Sequence, residues 1–455
     1  MTNQGTAGSD QALLVRALEV NASHTSESVR AVTAGLIREG TLAAGARLPT
    51  IRELAQHCGL STRTVVAAWG ELRKEGLIET NRRGGTVVAA LDELPPGRAL
   101  VDRDLLTGSP DYDLQPDLAQ AMLAGLQTEQ LNRPGREYIT DRLRDAVAGT
   151  WPFAAEAFVA AGGGSEGLFL AVDAAAPAGS LVAVEEPVMP GFLDTLADVG
   201  YQVVGIASDE QGALPDSLAA ALRHDPSVVV LQPEGGYAAQ GALTAGRAAE
   251  LAAVLSAAAS TPWIVEDDAV GPLAHAQAPS LGSYFPERTV RVRSYCKAYG
   301  MDIRTCVIGG SAALVERAIA ARVHGIAANS RILQNALAYL ISDRSTAALI
   351  DTARSRYAAR RSALLDALIA HGVTARSGCN SLVVWVPVAD EQGALLELAR
   401  HGIIVGASTK SHVARPGSGA VRVALPQLPD DPAAIGELAR RLAAAAGSAH
   451  REFLD

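Results

Sequence analysis

One lysine-containing turn in this sequence carries residues whose types and spacing could do chemistry. Ser294 lies three residues before Lys297, and Arg304 lies seven residues after it. The preceding run Thr289–Val292 alternates polar and apolar residues and predicts a strand, so the three side chains could converge on a phosphorylated ligand at its carboxyl end. A lysine among small and aromatic residues suits a Schiff base, because partial burial frees its amine. An isolated lysine is more often a solvated surface residue, so its role depends on the rest of the chain.

Two further strand ends carry polar groups suited to the same ligand. Residues 161–167 read AGGGSEG, follow a predicted strand and open a helix, so their backbone N–H groups form a natural phosphate cradle. The predicted strand 263–265 is followed by Glu266, Asp267 and Asp268, which are either ligands or solvated charges. Ligands of open α/β sheets bind at the carboxyl ends of the strands. Each signal is weak alone, and their order along the chain gives them weight.

The segment from residue 106 onward alternates apolar strands with alanine-rich helices, which predicts an α/β fold. Near-continuous valine and isoleucine runs between helices are typical of a mainly parallel central sheet covered on both faces. A helix-rich segment follows at 316–370, and a smaller α/β subdomain runs from residue 373 to the end. The predicted strands are 158–160, 181–184, 201–204, 227–231, 263–265 and 290–292.

Composition and charge bound the class of the protein. With 455 residues, 48% of them hydrophobic, the chain has room for two or three domains of a soluble protein. It lacks an apolar run of about twenty residues and a signal-peptide pattern, so we expect a cytoplasmic protein without membrane contact. Its four cysteines lack metal-ligand spacing, so we expect no metal site. The net charge is −10, yet nine basic and six acidic side chains give residues 26–90 a charge of +3, which indicates a basic module on an acidic one.

This basic module, residues 26–90, predicts a winged helix. Thr50 begins the second helix with Glu53 three residues on, which is a capping box, and Ser61 caps the third helix. The predicted elements are helices at 26–40, 50–57 and 62–74 and strands at 77–80 and 86–89 around a basic turn. A tight helix-turn-helix followed by a basic hairpin is typical of a DNA-binding domain, and the alternative is a small structural bundle.

The module resembles the DNA-binding domain of GntR-type bacterial regulators. The resemblance lies in RLPTIRELA at 47–55, LSTRTVV at 60–66 and ELRKEGLI at 71–78. The start of the third helix is placed to meet base edges, while the arginines before it and on the wing hold phosphates or reach the minor groove. We therefore expect double-stranded operator DNA as a partner. The residues assigned to DNA are Arg47, Arg52, Ser61, Thr62, Arg63, Thr64, Arg82 and Arg83.

The larger segment resembles a fold type I aminotransferase domain over about residues 110–450. A glycine loop, an acid and the lysine turn, in that order, carry the resemblance and imply bound pyridoxal 5'-phosphate (PLP). In that family the lysine forms the Schiff base, the acid pairs with the pyridinium nitrogen, and the remaining groups hold the phosphate. The implied cofactor residues are Lys297, Asp267, Ser294, Arg304, Gly164 and Ser165. The late run GAVRVAL at 419–425 resembles the strand whose arginine, here Arg422, grips a ligand carboxylate.

A GntR winged helix fused to such a domain resembles the MocR subfamily of regulators. The resemblance implies a transcriptional regulator whose second domain senses PLP, a small amino compound or both. It also implies a head-to-tail homodimer. The implied organisation is an N-terminal extension at 1–25, a winged helix-turn-helix at 26–90, a linker at 91–106 and an aminotransferase-like domain at 107–455.

Several residues near the expected cofactor depart from the family pattern. Ala269 and Met189 stand where tyrosines are usual, the loop 232–241 lacks the usual asparagine, and Glu166 opposes the phosphate. The loss of two hydrogen bonds to the cofactor weakens its binding by about one to a few kcal/mol, at about 1 kcal/mol for each bond. We therefore expect a sensor rather than an enzyme. The alternatives are a different effector in the same pocket and an active aminotransferase.

Overall fold

The chain folds into two compact units, residues 1–95 and 96–455. The computed structural model describes residues 13–18, 25–38, 41–43, 45–74, 77–81, 85–89, 103–128, 131–322, 328–414 and 419–447. Most of the predicted N-terminal extension and most of the predicted linker lie outside these residues.

The first unit is a small helical domain with a two-stranded hairpin. Its elements are α1 (13–18), α2 (Ser26–Arg38), α3 (Ile51–His57), α4 (Thr62–Lys74), β1 (Ile78–Asn81) and β2 (Gly85–Val88). Trp69 of α4 lies in its core together with Leu54 and Leu72. The predicted capping box is present, because the Thr50 side chain accepts from the Glu53 N–H, and the Glu53 carboxylate accepts from the Thr50 N–H at 2.8 Å.

The second unit is built on a seven-stranded sheet. Its strands are β3 (Ala157–Ala161), β4 (Leu181–Glu185), β5 (Gln202–Ile206), β8 (Val228–Leu231), β9 (Trp263–Asp268), β10 (Thr289–Ser294) and β11 (Cys306–Gly310), and a small hairpin of β6 (Ser208–Asp209) and β7 (Gly212–Ala213) follows β5. Their order is β3–β11–β10–β9–β8–β4–β5, and β11 alone of these runs antiparallel to the other six strands. The mainly parallel sheet and all six predicted strands are confirmed. β11 was not predicted.

Helices cover both faces of this sheet. The helices of the unit are α5 (Leu118–Leu126), α6 (Asp141–Ala148), α7 (Gly164–Ala175), α8 (Phe192–Val199), α9 (Pro215–Leu222), α10 (Ala245–Ser256), α11 (Cys296–Tyr299), α12 (Ala312–Ala321), α13 (Arg331–Ser342), α14 (Arg344–Ala370), α15 (Glu391–Arg400) and α16 (Pro432–Ala446). Val228 and Val230 pack with α7 and α12, whereas Val229 and Leu231 pack with α9 and α10. Because side chains alternate along a strand, a continuous apolar run serves both faces at once.

The C-terminal part of this unit forms a smaller α/β subdomain. Its strands are β12 (Val383–Val388), β13 (Gly406–Ala407) and β14 (Gly419–Ala424), paired antiparallel in the order β12–β14–β13. Residues of α14, α15 and α16 pack over them, and Leu105 joins the same core with 1% of its surface exposed. Within the described residues, no helix combines the length and apolar character needed to cross a membrane.

Candidate ligand-binding site

The carboxyl ends of the central strands open onto a cavity of about 590 Å³. The glycine loop after β3, the end of β9, the turn after β10 and strand β14 wall it. All seven residues that the sequence assigns to cofactor or effector line this cavity. They are Gly164, Ser165, Asp267, Ser294, Lys297, Arg304 and Arg422.

Lys297 lies in α11, a single helical turn that follows β10. Its side chain is half-buried, and its Nζ donates a hydrogen bond to the Tyr237 hydroxyl at 3.3 Å. Ser294, the last residue of β10, is buried, whereas Arg304 is exposed. The turn therefore brings an amine, a hydroxyl and a guanidinium to the same cavity, as the spacing predicted.

Asp267 is a buried carboxylate near the end of β9. Burial is the largest influence on it and raises its pKa to about 7, although the positive charge of Lys297 opposes the rise. Among the described residues, the Oδ2 atom of Asp267 has no hydrogen-bond partner. A buried carboxylate oxygen in this condition is costly, so the site suits a ligand that brings a cation or an N–H group.

The glycine loop forms the N-terminus of α7 next to Ser294. Gly163 has a φ of +133°, which favours glycine, and the helix begins at Gly164. A Cβ atom at Gly164 would lie 2.9 Å from the Cβ of Ser294, so only a glycine allows this close approach without a shift. The first N–H groups of a helix lack intrahelical partners, and with the exposed Ser165 hydroxyl they form a site for an anion.

Arg422 reaches the cavity from β14 and is 4% exposed. Its guanidinium packs over Gly406, where a Cβ atom would lie 2.5 Å from Nη2. In the described part of the chain, Arg422 Nε has no hydrogen-bond partner. Burial lowers the pKa of Arg422, yet an arginine stays protonated in proteins. A buried guanidinium of this kind suits a carboxylate, which it can bind through two parallel hydrogen bonds.

The segment that walls the cavity at residues 106–109 is held by one carboxylate. Asp104 accepts hydrogen bonds from the backbone N–H groups of Leu106 at 3.1 Å, Thr107 at 2.7 Å and Ser109 at 3.2 Å. Burial alone would raise the pKa of Asp104, but the hydrogen bonds from Thr107 and Ser109 outweigh it and lower the pKa. The wall is therefore a fixed turn of the chain.

Glu266 and Asp268, on either side of Asp267, belong to a buried ion cluster. Arg291 of β10 is fully buried and pairs with Glu234 at 2.6 Å, Asp268 at 3.1 Å and Glu266 at 3.3 Å. The alternative that these carboxylates are solvated is wrong, because β9 continues through Asp268 and its acids meet a cation of the neighbouring strand. Charges buried in this way require such partners.

The start of α4 presents the residues assigned to base edges. The Ser61 hydroxyl caps the helix, since it accepts from the Thr64 N–H at 3.0 Å and lies 2.7 Å from the Thr64 hydroxyl. Thr62 and Arg63 are exposed beside it. The helix start thus combines a satisfied cap with two exposed polar side chains.

The arginines assigned to phosphate lie on the same unit. Arg47 is exposed and forms an antiparallel bridge with Val87 of β2, and Arg52 is exposed in the first turn of α3. Arg82 and Arg83 lie outside the described residues.

Comparison with known families identifies both units. Residues 103–442 match the family Aminotransferase class I and II, which is most of the chain. The chain belongs to this family. Residues 25–88 match the bacterial regulatory proteins of the gntR family. The pair of matches makes the chain a MocR-type member of the GntR regulators, as its motifs predicted.

Two curated relatives match across most of this chain. The chain is 27% identical over 403 residues to the vitamin B6 salvage pathway transcriptional repressor PtsJ of Salmonella typhimurium, over 86% of this chain and 92% of that one. It is 26% identical over 360 residues to the pyridoxine biosynthesis transcriptional regulator PdxR of Corynebacterium glutamicum, over 73% and 76% of the two chains. A solved Thermus thermophilus aspartate aminotransferase matches 76% of this chain and 98% of its own, with a TM-score of 0.64 and 19% identity, which shows the fold.

Aminotransferases of class I and II bind PLP as a family, and the residues of this MocR-type cavity fit that group. Lys297 offers an amine to an aldehyde. The Oδ2 atom of Asp267, left without a partner by the described residues, suits a protonated ring nitrogen. The start of α7 at Gly164 suits a phosphate, because the first N–H groups of a helix lack intrahelical partners and Gly164 lines the cavity beside Ser294.

Sequence reasoning missed two groups near this cavity. Tyr237 lies sixty residues before Lys297 in an atypical loop, and only an aromatic residue in that loop could have pointed to it. Arg291 lies within an apolar strand. A charged residue in such a run could have predicted a buried ion pair. The expected conflict of Glu166 with a phosphate is reduced, because its carboxylate lies 3.6 Å from the guanidinium of Arg322.

Proposed function

We propose that this chain is a DNA-binding transcriptional regulator whose aminotransferase-like domain senses PLP, a small amino compound or both. One observation carries the proposal. In a chain with a gntR-family domain, the Lys297 amine shares a cavity with the buried Asp267 carboxylate and the buried Arg422 guanidinium. An amine for the aldehyde, an acid for the ring nitrogen and a cation for a carboxylate are the groups that PLP and an amino acid require.

Each cavity residue has a role in this proposal. Lys297 holds the cofactor through its amine, and Asp267 pairs with the ring nitrogen. When bound, PLP supplies an electrophilic carbonyl carbon and an electron-withdrawing ring. Arg422 orients the carboxylate of an amino compound. The phosphate is held by Gly164, Ser165, Ser294 and Arg304.

The DNA-binding role rests on the exposed start of α4. Thr62 and Arg63 read base edges, with Ser61 and Thr64 beside them, because the N-terminal residues of a recognition helix enter the major groove. Phosphates are held by Arg47, Arg52, Arg82 and Arg83. A head-to-tail homodimer, which the family resemblance implies, is the proposed DNA-binding form.

Two relatives support PLP as the sensed ligand. Their names connect one to vitamin B6 salvage and the other to pyridoxine biosynthesis. For such a ligand to regulate transcription, it must bind one conformational state of the protein more tightly than the other. Ligand and operator then each alter the affinity for the other by the same factor.

An absorbance spectrum with and without PLP tests the cofactor part of the proposal. The chain contains three lysines, Lys74, Lys297 and Lys410, so borohydride reduction and peptide mapping can distinguish them. We expect a PLP-dependent band and a label on Lys297. Lys297→Ala should abolish both. Lys410→Ala is the matched control and should keep both, because Lys410 is an exposed lysine that pairs with Asp194 at 3.2 Å.

Operator binding is measured in parallel on duplexes that the wild-type protein selects from a random library. We expect Lys297→Ala to keep basal DNA binding and to lose the response to PLP. A wild-type protein that stays colourless with PLP would favour a different effector, and steady transamination with an amino donor would favour an enzyme. Failure to select any duplex would contradict the regulator role.

A further inference from the structure

Tyr237 places a buried phenol against the lysine of the cavity. The residue is 5% exposed, and its hydroxyl oxygen lies 3.3 Å from Lys297 Nζ. The same Nζ lies 4.9 Å from the centroid of the Tyr237 ring, so the amine sits beside the hydroxyl and over the ring face. Tyr237 belongs to the loop 232–241, which departs from the family pattern.

The loop that carries Tyr237 is held at several points. The carboxylate of Glu234 pairs with the buried Arg291 at 2.6 Å and accepts from the Ala278 N–H at 3.0 Å. The indole N–H of Trp385 donates to the Tyr237 carbonyl at 2.9 Å. These contacts hold the loop at Glu234 and at the Tyr237 carbonyl through groups of the protein itself.

The small side chain of Ala269 makes room for this loop. A Cβ atom at Gly236 would lie 3.1 Å from Val270 Cγ2 and 3.6 Å from Ala269 Cβ, so the loop backbone lies directly against residue 269. Tyr237 and Ala269 also share one buried cluster with Trp385. A tyrosine at position 269 would compete with the loop for this space.

We propose that Tyr237 supplies the phenol that the family pattern expects at position 269. In this chain the phenol group is then kept, but it comes from position 237. The inference rests on the proposed attachment of PLP to Lys297. In PLP the ring hydroxyl is on the carbon next to the one that carries the aldehyde. A side chain that is hydrogen-bonded to the lysine amine would therefore lie beside the oxygen of this ring hydroxyl when the amine binds the aldehyde. The Tyr237 O–H donates to it and stabilises its anionic form.

This role predicts that Tyr237 changes the pH titration of the bound cofactor, which a purely structural tyrosine would leave unchanged. A hydrogen bond donated to the ring oxygen stabilises the deprotonated lysine-bound cofactor, so it lowers the pKa read from its absorbance. The charged groups that face Tyr237 are Lys297 from the turn, Asp267 from β9 and Arg422 from β14, and all remain in a Tyr237→Phe variant.

The test compares Tyr237→Phe with Tyr299→Phe, a buried tyrosine of α11 whose side chain does not line this cavity within the described residues. We expect Tyr237→Phe to weaken PLP binding about tenfold, which corresponds to about 1.4 kcal/mol for one hydrogen bond to a charged oxygen. The pH midpoint of the bound-cofactor absorbance should rise by about one unit. Tyr299→Phe should leave the affinity and the midpoint unchanged.

A second variant, Trp385→Phe, keeps the inference testable if Tyr237→Phe does not fold. It removes the indole N–H that holds the Tyr237 carbonyl, and it should shift affinity and midpoint in the same direction by less. A wild-type band together with an unchanged Tyr237→Phe midpoint and affinity would overturn this inference alone. A wild-type protein without any PLP band would overturn the proposed function and this inference with it.

Discussion

Two residues of the cavity bury polar atoms that the described part of the chain leaves without a hydrogen bond. Asp267 Oδ2 and Arg422 Nε are buried, and neither has a hydrogen-bond partner among the described residues. Burying polar atoms in this way lowers the stability of the free protein. A ligand that supplies the missing hydrogen-bond partners removes this cost and so raises the free energy of unfolding. These two atoms therefore link folding stability to ligand binding.

Asp267→Asn should stabilise the free protein at alkaline pH. Folded Asp267 keeps its proton up to about pH 7, whereas an unfolded aspartate releases it near pH 3.8. The stability conferred by that proton is therefore full below about pH 4 and is lost as pH rises through 7. A neutral amide avoids the loss, so we expect Asp267→Asn to be more stable than wild type at pH 8, by an amount on the order of a few kcal/mol.

Thermal unfolding between pH 5 and 8 measures this effect. Asp198→Asn, at an exposed position of α8, is the control and should follow the wild-type curve. The same Asp267→Asn protein should bind PLP more weakly, because the ring nitrogen loses its anionic partner. An Asp267→Asn variant that is less stable than wild type at pH 8 would contradict this account.

At the residue scale, the sequence predicts groups that lie close together in the chain or follow a family order. Ser294, Lys297 and Arg304 come from one turn, and all three line the cavity. Tyr237 could not be predicted, because its contact with Lys297 depends on the conformation of a loop sixty residues away. That conformation depends in turn on Arg291, which is fully buried.

At the scale of elements, the register of β9 on β10 decides where the acids go. Glu266 lies opposite Arg291 and Asp268 opposite Arg293, so these two acids of β9 have cationic neighbours in the next strand, whereas Asp267 lies opposite Val292. The apolar pattern predicts a strand that stops at 265, because carboxylates are unfavourable in a buried strand. The carboxylates are stabilised by arginines of the neighbouring strand. This pairing depends on the register of two strands, so the sequence of one strand alone does not predict it.

Arg291→Met should destabilise the second unit strongly. It removes the cation shared by three buried carboxylates, and loss of one partner of a buried ion pair costs about 3–5 kcal/mol. Arg344→Met, at an exposed position of α14, is the matched control and should change stability by less than about 0.5 kcal/mol. Unfolding by guanidinium chloride gives both values. Equal stability of the two variants would show that Arg291 does not hold the cluster together.

At the scale of the whole molecule, a basic unit and an acidic unit share one chain. Residues 26–90 carry +3 while the whole chain carries −10, so the other residues carry −13. The alternation of strands and helices predicted the architecture of the larger unit. The antiparallel β11 was not predicted, since its place in the sheet depends on pairing with β3, which is distant in sequence, as well as with the nearby β10.

DNA affinity should fall steeply with salt, and single arginines of the first unit should affect it differently. Arg52→Ala removes a proposed phosphate contact, so we expect weaker binding to all sequences and a salt slope smaller by about 1. Arg63→Ala removes a proposed base contact, so we expect relaxed specificity at one position. Fluorescence anisotropy at several salt concentrations measures both. Arg400→Ala, exposed in α15, is the control, and a similar loss there would contradict the assignment.

The turn at Asp104 gives the cavity a wall that is ordered by folding. Its carboxylate already holds the backbone of Leu106, Thr107 and Ser109 through three N–H groups. A loop that a ligand must order itself reduces affinity by its conformational entropy. Here that entropy has been lost before the ligand arrives, so the wall is preorganised and more of the interaction energy is retained as affinity.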